Sequence, residues 1–192
     1  MDLPKTGRQF IAARDLKKAG CSHYRINQMI SAGSLSRLNK KYYENLDYDG
    51  EPNDFYASYA CSEKGIVCLM SAAVYYGFSS ERPAVVDVAL PRRTRIPVSP
   101  VWPPMKFYLF SGARYDSGIV IVSDNGNIFR IYDKEKTVCD IVFYRNKLGF
   151  EPAVEIIRNY LHSSDRDINR LMEYARRLRV ETAMRQFVEV MA

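Results

Sequence analysis

The sequence is poor in the residues from which most catalytic and metal sites are built. It has two histidines, His23 and His162, in 192 residues, and so few candidate general bases. Its four cysteines, Cys21, Cys61, Cys68 and Cys139, show no C-x-x-C spacing, so neither a zinc site nor a redox pair is expected. Reduced, partly buried thiols in a cytoplasmic protein are the expectation instead. The longest apolar run, Ile66–Phe78, is broken by Ser71 and Gly77 and is too short to span a bilayer. The opening MDLPKTGRQF has no apolar stretch of the signal-peptide kind. No G-x-S-x-G, P-loop or G-x-G-x-x-G occurs. The one D/E-x-K, Asp15-Leu16-Lys17, lies in a basic N-terminal region, and Asp133-Lys134-Glu135-Lys136 has the wrong offsets for a metal nuclease. No catalytic residue, metal ligand or cofactor is assigned.

What is present is ordinary globular composition with uneven charge. Hydrophobic residues make up 47% and charged residues 26%, which excludes a disordered or fibrous chain. The net charge is +6. Residues 1–45 hold nine Lys/Arg and three Asp/Glu, so the whole excess sits in the first quarter. A polyanion-binding head on a neutral body follows from that asymmetry.

In the head, a short helix is expected over Ala13–Ala19, ended by Gly20, and a second over His23–Ala32, with Ser22 as cap and Ile26, Met29 and Ile30 as its buried face. His23, near that face, is expected to pack or cap. Gly33 stops the helix, and Ser34–Asn45 suits a short hairpin. Helix, glycine-containing turn, helix and basic hairpin is the order of a winged helix-turn-helix. In that arrangement Tyr24, Arg25, Asn27 and Gln28 are candidates for base contacts, with Ser22 at the helix start. Arg14, Lys17 and Lys18 on the first helix, and Arg37, Lys40 and Lys41 in the hairpin, are candidates for phosphate contacts. Nine residues precede Phe10, too few for a full opening helix, so the head's core is expected to draw on the body.

The predicted boundary falls at 46, with 1–46 the winged helix-turn-helix and 47–192 an α+β body ending in a helical bundle. Residues 46–53 read as a linker. The body is expected to run as a helix at Asp54–Cys61, a strand at Ile66–Met70, a helix capped by Ser71, a strand at Ala84–Leu90, and a Pro-rich loop at Pro91–Pro104 carrying Trp102 as a packing anchor. A strand at Lys106–Ser111 follows, then a hairpin around Asp124-Asn125-Gly126, then four helices with 3.6-residue periodicity from Asp133 onward. Arg92, Arg93 and Arg95 open the Pro-rich loop and are candidate contacts to nucleic acid or an acidic partner.

Several segments in this order carry a resemblance. They are Lys64-Gly65-Ile66-Val67-Cys68-Leu69-Met70-Ser71-Ala72-Ala73-Val74-Tyr75-Tyr76-Gly77, then Asp87-Val88-Ala89-Leu90-Pro91-Arg92, then Lys136-Thr137-Val138-Cys139-Asp140-Ile141. Together with the head and the helical C-terminal part, the chain resembles the AbiEi family, antitoxins of type IV (abortive infection) toxin–antitoxin systems. The resemblance implies an N-terminal module that represses its own operon by binding inverted repeats. It also implies a C-terminal domain that counteracts a nucleotidyltransferase-like toxin encoded next door, without implying direct contact between the two. It does not make Thr137-Val138-Cys139-Asp140 catalytic; with Asp140 near a helix start and Cys139 packed inside, a structural role is expected for both. The residues alone leave other readings open: a winged-helix regulator without antitoxin activity, an RNA- or protein-binding module, or an enzyme.

Overall fold

The computed structural model describes residues 7–81 and 83–191. Among them the chain forms a small three-stranded sheet with two helices, followed by a larger sheet covered mainly on one face by helices. The fold is mixed α+β.

The head begins with strand β1 (Phe10–Ala12), followed by helix α1 (Ala13–Lys18) and helix α2 (His23–Ser31). Strands β2 (Leu35–Arg37) and β3 (Tyr42–Asn45) complete it. All pairs are antiparallel, in the order β1-β3-β2. The strand at 10–12 precedes the expected first helix and is not assigned from the sequence. Pairing with β3, Ile11 opposite Tyr43, decides its conformation. Gly20 and Gly33 take φ of +80° and +79° and close α1 and α2, as their sequence positions implied. Ile11, Leu16, Cys21, Ile26, Met29, Leu35 and Tyr43 form the head's own core.

The body opens with α3 (Asp54–Cys61), capped by Asn53, whose Oδ1 accepts from Phe55 N–H at 2.9 Å. Then come β4 (Ile66–Val67), α4 (Leu69–Tyr75), β5 (Val86–Pro91), β6 (Met105–Phe110) and the short α5 (Ala113–Asp116), which the sequence reading missed. The hairpin β7 (Ile119–Asp124) and β8 (Asn127–Tyr132) follows. The sheet order is β6-β5-β4-β8-β7, with β5/β6 and β4/β8 parallel. Asn125 and Gly126 turn the hairpin with φ of +47° and +81°, the positive angles an Asn-Gly turn supplies.

Side chains alternate across this sheet. Val67, Val88, Phe129 and Ile131 face α3, while Ile66, Ala89 and Tyr132 face the helical side. That side is built by α4, α6 (Lys134–Leu148), α7 (Phe150–His162), α8 (Ile168–Arg177) and α9 (Glu181–Met191). Asp167 caps α8, and its side chain accepts from Arg170 N–H at 2.9 Å. Three expectations are corrected. Helix α4 starts at Leu69 with Cys68 at its cap, because β4 is only two residues long. Ser71 is not its cap: its hydroxyl accepts from Asp87 N–H at 2.9 Å. Trp102 is 65% exposed and anchors no core.

The head does not stand apart. Phe10, Ala12 and Tyr42 pack in one hydrophobic cluster with Tyr56, Ala57, Ala60 and Phe129 of the body. Asn127 Oδ1 accepts from Gln9 N–H at 2.7 Å, and Gln9 Oε1 accepts from Asn53 N–H at 2.9 Å. Asn39 Nδ2 donates to Ala60 C=O at 2.9 Å. Apolar packing and side-chain hydrogen bonds thus join the head to the body.

Candidate nucleic-acid interface and a buried charge cluster

Helix α2 buries Ile26 and Met29, and that choice fixes what faces outward. Tyr24, Asn27, Gln28 and Ser31 are exposed, Tyr24 by 72%, and Arg25 is half-buried at the flank. Ser22 is engaged as the helix cap: its hydroxyl accepts from Arg25 N–H at 3.2 Å. His23 is exposed rather than packed. This helix therefore offers an amide, a second amide and a phenol on one solvent face, groups able to meet base edges.

The cations are not spread evenly around the head. Arg14, Lys17, Lys40 and Lys41 line one cleft together with Glu63, where the start of α1 meets the hairpin turn. Ala13 N–H donates to Lys41 C=O at 2.7 Å and holds the two segments together. Asn39, which the sequence reading did not single out, shapes the turn. Its Oδ1 accepts from the N–H groups of Lys41 at 2.7 Å and Tyr42 at 3.0 Å. An Asx side chain just before two lysines is the signal that pointed to such a turn. Lys18 is exposed at the end of α1, and Arg37 lies 5.6 Å over the Tyr43 ring.

The basic run of the Pro-rich loop is divided by the fold. Arg95 lines a groove with Lys40, Lys41 and Lys64, again beside Glu63. Arg92 and Arg93 face a separate cavity with Phe110, Ser111 and Tyr115.

Among the described residues of the body five charged side chains are buried: Asp87, Asp133, Glu135, Lys136 and Asp140. Asp140, on α6, has no exposed side-chain surface; it is ion-paired to Lys136 one turn earlier and to Arg114 Nη1 at 2.5 Å. The Lys136 ammonium stands 3.6 Å from the Tyr132 ring centroid, and the Arg114 guanidinium stands 3.7 Å from that of Phe143 and donates to Leu178 C=O at 2.9 Å. Burial works against both charges, pulling Lys136 down and pushing Asp140 up, and their mutual attraction opposes each shift. Asp133 caps α6 through Lys136 N–H at 2.8 Å, and its second oxygen takes Arg170 at 2.6 Å and the Tyr174 hydroxyl at 3.0 Å, tying α6 to α8. Asp87 on β5 is buried, and desolvation raises it to about 6 against the bonds it receives from Tyr108 and the start of α4. All four cysteines are free thiols, and burial holds Cys61, Cys68 and Cys139 above the ordinary range, away from the reactive thiolate. Among the described residues no group of His, Cys, Asp and Glu gathers as a metal site, and no helix is long and apolar enough to cross a membrane.

Residues 65–108, which run from the start of β4 into β6, match the family model of the AbiEi antitoxin C-terminal domain. The match supports an AbiEi-family antitoxin, in line with the resemblance carried by the sequence. No curated protein matches. The fold is similar to the crystal structure of the RV2827C protein from Mycobacterium tuberculosis, with a TM-score of 0.61 at 14% identity over 88% of this chain. This chain spans 66% of that protein's length. At that identity the likeness shows the fold alone.

Proposed function

We propose that this chain, whose residues 65–108 match the AbiEi antitoxin C-terminal domain, counteracts a nucleotidyltransferase-like toxin encoded beside it and represses its own operon. The antitoxin role rests on that match. The regulatory role rests on the head. Its two helices and hairpin act as a winged helix-turn-helix, with α2 in the major groove and Tyr24, Arg25, Asn27 and Gln28 reading bases. Arg14, Lys17, Lys18, Lys40 and Lys41 neutralise phosphates. Lys64 and Arg95 continue the same basic tract onto the body, because their groove shares Lys40 and Lys41 with the cleft at α1. Ser22 acts indirectly, by starting the helix. The chain works as a cytoplasmic binding protein, not an enzyme.

One observation carries the regulatory half: the head combines an exposed polar helix face with a cleft in which four of its cations converge. A reporter driven by the chain's own promoter tests it. Expression of the protein lowers the signal, and scrambling the inverted repeats or replacing Gln28 and Arg25 restores it. A signal indifferent to both changes would leave the head without an operator. An inverted-repeat operator engages two copies of the protein, one per half-site.

A further inference from the structure

The cavity faced by Arg92 and Arg93 is not used by either proposed role. We propose that it is a binding site for a mononucleotide, with the phosphate held by Arg92, Arg93 and Ser111 and the base laid against the Tyr115 ring. The reasons are geometric. Strands β5 and β6 are parallel and end together, Pro91 paired with Phe110, so the cavity lies beyond the carboxyl ends of a parallel pair. Open sheets commonly place ligands there. Its volume, about 660 Å³, falls in the range of small-molecule sites.

The chemistry of the walls selects the ligand class. Arg92 and Arg93 stand on a tight turn closed by Thr94 N–H to Pro91 C=O at 2.9 Å, and among the described residues neither has a carboxylate within ion-pair distance. Two adjacent guanidinium groups with no carboxylate of the described residues at ion-pair distance suit a phosphate, which they grip through several charge-assisted bonds. Opposite them the chain passes Ser111 and Gly112. Gly112 has φ +52° and ψ −136°, a backbone that glycine alone adopts readily, and nothing lies within 4 Å of the place a Cβ would take. The wall there is backbone open to the cavity, which permits close approach of a ligand. The Tyr115 hydroxyl donates to Lys64 C=O at 2.6 Å, so the ring is held in place before any ligand arrives. A fixed aromatic face accepts any nucleobase by stacking. Asp116, exposed at the rim, opposes accumulation of negative charge and favours one phosphate over a triphosphate.

Calorimetric titration of the full chain with 5′-AMP is the test, with adenosine, inorganic phosphate and ATP as separate arms. Saturable binding of 5′-AMP is expected, with each of the other three weaker by roughly tenfold or more. Arg92→Gln with Arg93→Gln should weaken 5′-AMP by a similar factor and leave the thermal unfolding midpoint in place, since both side chains are exposed. Tyr115→Leu should bring 5′-AMP down to the level of inorganic phosphate. No saturable binding, binding unchanged in the arginine variant, or equal affinity for inorganic phosphate and 5′-AMP would each overturn the assignment. So would tighter binding of a 5′-phosphorylated oligonucleotide, which would make this a nucleic-acid contact instead. The outcome does not depend on whether the head binds an operator, because no head residue lines the cavity.

Discussion

Lys136 and Asp140 stand one turn apart on α6, both without exposed surface, and form an ion pair inside the body. Arg114, from a helix 26 residues earlier, supplies the second cation to the same carboxylate. The Lys-Thr-Val-Cys-Asp segment is therefore a joint between α6 and α5, and Cys139 within it faces Leu171 on α8. Removing one partner strands the other in a dry interior. Asp140→Ala is expected to cost about 3–5 kcal/mol in urea unfolding, whereas Lys136→Met with Asp140→Asn costs less than the single change. A single variant within about 0.5 kcal/mol of the parent would show that water reaches the pair.

Asp87 gives a pH signature. Its folded-state pKa is raised to about 6, above the unfolded value, so its protonated form favours the fold. The contribution is complete below about pH 4 and is lost as pH rises through about 6. Relative to Asp87→Asn, the parent chain should lose about 2–3 kcal/mol of unfolding free energy between those limits. Parallel pH curves for the two proteins would contradict this.

Lys40 and Lys41 test the phosphate contacts. Replacing both with Gln should lower the slope of log K against log salt by about 2 and leave sequence preference intact. An unchanged slope would remove the hairpin turn from the interface.

Gln28 and Arg25 test base reading. Gln28→Ala or Arg25→Ala should cost about 1–3 kcal/mol on the operator and relax preference at one or two base pairs. Uniform weakening on operator and random duplex alike would assign them to the phosphate backbone.

Much of this was legible in the chain, and the gaps have physical causes. The faces of α2 and α6 could be read because Ile26 with Met29, and Val138 with Ile141 and Val142, repeat at helical spacing and are buried. The Asn125-Gly126 turn announced its hairpin by residue type alone. Strand β1 has three apolar residues and no period, so its partner β3 decides its form. Ser71 has the identity of a helix cap, yet β5 claims its hydroxyl through Asp87 N–H. Arg92 to Arg95 reads as one basic run, but the turn at Pro91–Thr94 sends Arg95 to the hairpin groove and the other two to the cavity beyond β6. The buried Lys136–Asp140 pair has no sequence signature of its own, because Arg114, which makes its burial tolerable, lies on a four-residue helix.

The antitoxin role itself is tested most directly by growth. Cells induced for the gene adjacent to this one are compared with and without this chain, supplied from an unrelated promoter so that repression plays no part. The neighbour is expected to arrest growth and the chain to restore it, including when Gln28 and Arg25 are replaced and operator binding is lost. A toxic neighbour whose effect the chain leaves untouched would contradict the antitoxin role and reduce the protein to a regulator.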